Sequence, residues 1–179
     1  MPAAIPPTIL AALQRVEPST SKFFPSSGNQ FQSTTSNKTY FAKEGAPEDA
    51  EQYRGEAAAL RVMYEAAPGI CPRLFESSVD AASRRPVFVS EYKSLAPLNK
   101  HSAAALGGAL AEMHVKGTSP TGMFGFDVPT YCGATRMENG WSGTWAEAYD
   151  RMIAGLLDRL NQGGQYQETC TMGEEVRKR

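Results

Sequence analysis

The chain has little of what would place it in a familiar class at a glance. Its three cysteines, Cys71, Cys132 and Cys170, are odd in number and far apart, with no paired spacing and only His101 and His114 beside them. That excludes a zinc module or a disulfide framework and reads as reduced thiols in a cytoplasmic setting. Neither charge is in surplus: 18 basic and 19 acidic side chains leave a net charge of -1, and the pI is near 6.1. No basic field is available to draw nucleic acid. No apolar run approaches a membrane span, so no membrane partner is expected. The opening Met1-Pro2-Ala3-Ala4-Ile5-Pro6-Pro7 lacks the basic start and unbroken apolar stretch of a signal peptide. Without such a signal, the glycosylation pattern Asn37-Lys38-Thr39 is chemically idle. The 179 residues suffice for one domain, or for a small lobe and part of a second.

What is present is organised around Thr39-Tyr40-Phe41-Ala42-Lys43, a strand-like run that ends on a single cation. Glu56 follows in a segment that reads as a helix. A strand lysine meeting a glutamate from the next helix is how a nucleotide kinase holds the α- and β-phosphates. Taken alone, the same two residues also read as a surface lysine and a solvated helical acid. Their surroundings favour the first reading. Ile9, Leu13 and Val16 fall on one face of a leading helix that Glu17-Pro18 ends. Phe23 to Pro25 and Phe31 to Thr35 read as strands about a turn at Gly28, a place for a phosphate-covering loop or for an ordinary hairpin turn. Ala50, Tyr53, Ala57, Leu60 and Tyr64 give a helix from Pro47 to Ala67, and Leu74 to Val79 and Pro86 to Tyr92 complete a sheet of about five strands.

Beyond Tyr92 no strand signal is read. Residues 93–100 read as a linker, and His101 to Lys116 as a helix with Leu106, Leu110, Met113 and His114 on one side, His114 being read as a core residue. Gly117 to Glu138 is a long connection containing Phe124-Gly125-Phe126. Thr144 and Glu147 form a capping box that opens a second helix, and Gly163-Gly164 ends it. Residues 165–179 read as an irregular tail.

This order of elements, together with YFAKE at 40–44, YRGEAAAL at 53–60, CPRL at 71–74, VFVSEY at 87–92, LGGALAEMH at 106–114 and the FGFDVPTYCGAT stretch with Asn139, Trp141 and Trp145, resembles the fructosamine kinase family. That family includes the ketosamine and ribulosamine 3-kinases; several of the shorter motifs also fit choline or aminoglycoside kinases. The resemblance implies an α+β, protein-kinase-like small lobe over residues 1–92, an interlobe linker at 93–100 and the first helices of a large lobe at 101–164. It implies ATP and Mg2+ as cofactors and phosphorylation of the 3-hydroxyl of a sugar on a protein amine, with a glycated protein or a small ketosamine as partner. Lys43 would hold the phosphates, Glu56 would orient Lys43, Gly28 would cover the phosphates, and Glu91 and Tyr92 would meet adenine. Phe124, Gly125, Asn139, Trp141 and Trp145 would shape the large-lobe side of the cleft, and Asp127 would not bind metal. The family's histidine-glycine-aspartate loop, source of the general base and of the Mg2+ ligands, has no match in these residues. The chain is therefore expected to be a truncated kinase: inactive alone, or a nucleotide-binding fragment, with apolar faces at Leu106–His114 and Trp145–Leu160 left uncovered.

Overall fold

A computed structural model describes residues 4–18 and 20–177, so Met1 to Ala3 of the proline-rich opening and the final Lys178 and Arg179 lie outside the described residues. The chain divides into two compact units, one ending at Gly117 and one beginning at Thr118.

The first unit is built on a five-stranded antiparallel sheet in the order β1-β2-β3-β5-β4. Its strands are β1 (Phe23–Pro25), β2 (Gln30–Ser33), β3 (Thr39–Glu44), β4 (Leu74–Val79) and β5 (Pro86–Glu91). The leading helix α1 (Pro7–Val16) starts on a proline whose missing N–H costs nothing in the first turn. It lays Ile9, Ala12 and Leu13 against Phe31, Tyr40, Ala42, Val87 and Val89, which together form the core. Strand side chains alternate between faces, so Tyr40 and Ala42 enter this core while Phe41 and Lys43 leave it.

Glu17 fixes the end of α1. Its carboxylate accepts hydrogen bonds from Ser33 Oγ and Tyr40 OH, each at 2.6 Å, and from Ser36 Oγ. Burial pulls the carboxyl upward, but these donors outweigh it and lower its pKa to about 2. Tyr40, buried and facing that carboxylate, is pushed up to about 12.

A short 3-10 turn (Pro47–Asp49) leads into α2 (Ala50–Ala66), where Gly55 and Ala57 are buried. Helix α3 (Lys100–Lys116) is capped by Asn99, whose Oδ1 accepts from the N–H groups of His101 and Ser102. Compactness divides the chain after Gly117 and not within 93–100, because α3 packs along α2. His114 is exposed and is not the core histidine that its position on the Leu106 face suggested. That stripe is too weakly amphipathic to bury a side, and α3 has no buried residue.

The second unit holds a two-stranded hairpin, β6 (Thr130–Cys132) and β7 (Thr135–Met137), then α4 (Trp145–Gln162) and α5 (Gln167–Arg177). Strands do return after Tyr92: three-residue strands give no usable alternation, and the signal was Gly133, with φ +60, at the first central position of the turn. Gln167–Arg177 of the expected irregular tail form helix α5, which packs on α4. Its polar sequence hides two fits, Cys170 buried with its Sγ 3.8 Å from Leu157 O, and Gly173, where a Cβ would stand 2.6 Å from the Leu157 side chain. Arg177 clamps α5 to Asp150 through Nε and Nη2 at 2.7 and 3.1 Å. Thr144 and Glu147 exchange their two capping hydrogen bonds at 3.2 Å, and α4 stops at Gly163.

Among the described residues no helix is long and apolar enough to cross a membrane. All three cysteines are free thiols: Cys71 half-buried, Cys132 exposed, Cys170 buried.

Candidate functional site

The face of the sheet opposite α1 carries Lys43 on β3 and, paired with it on β5, Phe88, which turns away from the Val87 and Val89 core. Helix α2 crosses this face, and its buried Gly55 and Ala57 let it sit close. Glu56, between those two small residues, reaches Lys43 Nζ at 2.7 Å. Nζ also lies 4.8 Å from the centroid of the Tyr53 ring and 5.2 Å from that of Phe88. One carboxylate and two aromatic faces therefore fix the ammonium group. The lysine and glutamate side chains are 25% and 38% exposed, and a pair that wet contributes at most about 1 kcal/mol to folding. Its significance is positional. Burial first, then the charges of Asp49, Glu56 and Glu44, push the Tyr53 hydroxyl up to about 12, so the ring stays neutral beside the cation.

A cavity of about 870 Å3 opens beside the pair, within the range of small-molecule sites. Gly28, Glu56, Phe88, Glu91 and Tyr92 all line it, and Lys43 adjoins it through its contacts with Glu56 and Phe88. The structure thus gathers every residue singled out from the sequence as a nucleotide contact. Gly28 has φ +52, nothing lies within 4 Å of where its Cβ would stand, and neither its N–H nor that of Asn29 bonds to a described residue. Both residues line the cavity. The Glu91 carboxylate is committed to the fold: it accepts from Lys93 Nζ at 2.8 Å and from the Arg73 N–H at 3.3 Å, and the lysine bond holds it below the usual carboxylate range. Cys71 also lines the cavity, with its Sγ 3.6 Å from Leu60 O, and burial pushes its thiol up.

The model of the fructosamine kinase family matches residues 20–179. The chain belongs to the fructosamine kinase family. Its fold is similar to that of a crystal structure from Haemophilus somnus 129PT named "Putative fructosamine-3-kinase", with a TM-score of 0.63 at 15% identity. That match covers 87% of this chain and 56% of the other, so the chain spans little more than half the length of that protein. The likeness is one of fold, the protein-kinase-like α+β arrangement. No curated protein matches the chain.

The family's signature residues in the second unit interlock with one another. Gly125, at φ +151, lies so close to the next strand of chain that a Cβ would stand 2.6 Å from Gly140 O and 2.8 Å from Asn139 O. Phe124 and Ser142 exchange backbone hydrogen bonds at 2.9 and 2.7 Å across this contact. Asn139 Nδ2 donates to Val128 O at 3.1 Å and Thr130 Oγ1 at 2.7 Å, and Trp141 Nε1 donates to Asp127 Oδ1 at 3.1 Å. Trp145 stacks edge-on against Phe124. Asp127 is thus a partner of Trp141. Among the described residues no group of three or more His, Cys, Asp or Glu stands where it could hold a metal.

Sequence reasoning missed Tyr53 as a neighbour of Lys43, because it fitted the apolar stripe of α2 equally well. It also missed Glu17, which stood out only as the residue before a proline.

Proposed function

We propose that the first unit binds ATP, with Lys43 on the α- and β-phosphates, Glu56 holding Lys43 in place, the Gly28 turn over the phosphates, and Glu91 and Tyr92 along the adenine. The observation that carries this reading is the 2.7 Å Lys43–Glu56 pair at the wall of the 870 Å3 cavity. A nucleotide brings its negative charge to an ammonium group already held by a carboxylate and two rings, so little ordering remains to be done on binding. By family, the reaction served is transfer of a phosphoryl group to a hydroxyl of a ketosamine, the sugar adduct of a protein amine, in the cytoplasm. Phosphoryl transfer depends on positioning and charge stabilisation, with an aspartate to take the hydroxyl proton. These 179 residues supply the first and contain no histidine-glycine-aspartate loop for the second. This stretch therefore binds nucleotide and does not by itself turn it over.

Thermal unfolding of the purified chain with and without ATP tests the reading. ATP should raise the melting temperature, Lys43→Met should abolish the rise, and a glycated lysine peptide should gain no phosphate. An equal rise in the variant would remove Lys43 from the site and the kinase reading with it.

A further inference from the structure

A second hollow, of about 490 Å3, lies between α2 and β4 and shares no lining residue with the nucleotide cavity. Ala57, Val79 and Pro86 give it apolar walls, and the charged side chains on α2 that border it are Arg54, Arg61 and Glu51, two cations to one acid. Both arginines are exposed, and neither makes a hydrogen bond or ion pair with a described residue. Seven positions apart on a helix, they share one face with their backbones roughly 10 Å from one another. They suit two anionic groups held apart. The facing strand, β4, ends the sheet, and no strand among the described residues pairs with its outer edge. Such an edge is a template for an added strand.

We propose that this hollow docks an extended acidic segment of a partner protein. The segment pairs along the β4 edge and places two carboxylates on Arg54 and Arg61, with an apolar side chain between them in the hollow. Side chains on one face of a strand recur every second residue, so an acid-x-apolar-x-acid pattern spans about 13 Å and meets all three points. Docking also touches the nucleotide site, and this part rests on the function proposed above. Tyr53 lines the hollow while its ring supports Lys43 Nζ at 4.8 Å, and α2 carries Glu56. A segment that pins α2 to β4 holds the Lys43–Glu56 pair in its binding arrangement and strengthens nucleotide binding.

The test uses fluorescein-labelled peptide Glu-Thr-Phe-Thr-Glu and fluorescence anisotropy on the full chain. Binding should weaken with salt and fall at least tenfold in the double variant Arg54→Ala/Arg61→Ala, whose surface positions leave the circular dichroism melt unchanged. It should persist in Lys43→Met, which separates the docking site from the nucleotide reading. With wild-type chain, saturating peptide should raise ATP affinity several-fold, within the usual span of coupling between sites. Equal binding by the double variant, equal binding of Lys-Thr-Phe-Thr-Lys, or full displacement by millimolar inorganic phosphate, which would mark a simple anion site, would each overturn the proposal.

Discussion

In the first unit α1 and the sheet share one continuous apolar face, with Leu13, Ala42 and Val89 wholly buried; in the second the buried apolar residues are few, chiefly Ala148, Leu157 and Cys170. The second unit instead relies on close backbone approach and side chains that bond backbone: Gly125 against Gly140, Asn139 on Val128, and Arg151 Nη2 on Gly140 O at 2.5 Å. A core of methyl groups tolerates exchange of one apolar shape for another at modest cost. A glycine contact tolerates nothing larger than hydrogen. The first unit is thus specified by a pattern and the second by individual residues, and the Lys43–Glu56 pair sits in the part that patterns can build.

The largest effect should come from Leu13→Ala, which removes a fully buried side chain from the α1–sheet interface. It should cost about 2 to 5 kcal/mol, seen as a lower urea midpoint. Hydrogen exchange should rise through β2, β3 and β5 while α4 and α5 keep their protection. Gly125→Ala is the counterpart in the second unit. Backbone strain at its positive φ costs about 1 to 3 kcal/mol, and the clash with Gly140 O adds to it because a backbone carbonyl cannot swing aside. Exchange should quicken around residues 124–142. If either variant loosened both units equally, the contrast between pattern-built and residue-built halves would fail.

The same contrast explains what could be read in advance. The five strands, α1 and α2 were legible because Ile9 and Leu13 repeat at helical spacing and Tyr40 and Ala42 alternate at strand spacing. The meeting of Lys43 and Glu56 was legible from element order, since an antiparallel β3–β5 pair leaves that face for the intervening helix. The hairpin at residues 130–137 and helix α5 were not legible, because a three-residue strand carries no period and α5 is held by Cys170, Gly173 and Arg177 one at a time. The Phe124 to Trp145 series could be recognised as a family mark. What it does, which is to lock a loop through Gly125, Asn139 and Trp141, follows only from the coordinates.

Glu17→Gln probes a polar lock inside the apolar half and should have an intermediate effect. A carboxylate with three hydroxyl donors becomes a neutral amide, at a cost of about 2 kcal/mol near neutral pH. Because the folded pKa, about 2, lies below the ordinary value of 4.5, this stabilisation is complete above about pH 4.5 and is lost as pH falls toward 2. Urea midpoints of wild type and variant should therefore differ most at pH 6 and converge near pH 2. A constant difference across that range would show that shape, and not charge, holds Glu17 in place.

Lys43→Met should have the smallest effect on folding and so gives the sharpest comparison between holding the fold and serving the site. Lys43 projects from the central strand of the sheet with its side chain a quarter exposed, its pairing with Glu56 is worth at most about 1 kcal/mol, and methionine keeps most of the stem that packs between Tyr53 and Phe88. The urea midpoint should move by less than that amount in either direction. ATP binding should nevertheless fall by at least tenfold in isothermal titration, because the cavity loses the ammonium group that Glu56 and Phe88 hold beside it. A large drop in stability would make Lys43 part of the scaffold. An unchanged ATP affinity would leave the pair an ordinary surface contact, and the first unit would then be a pattern-built domain whose cavity awaits a different ligand.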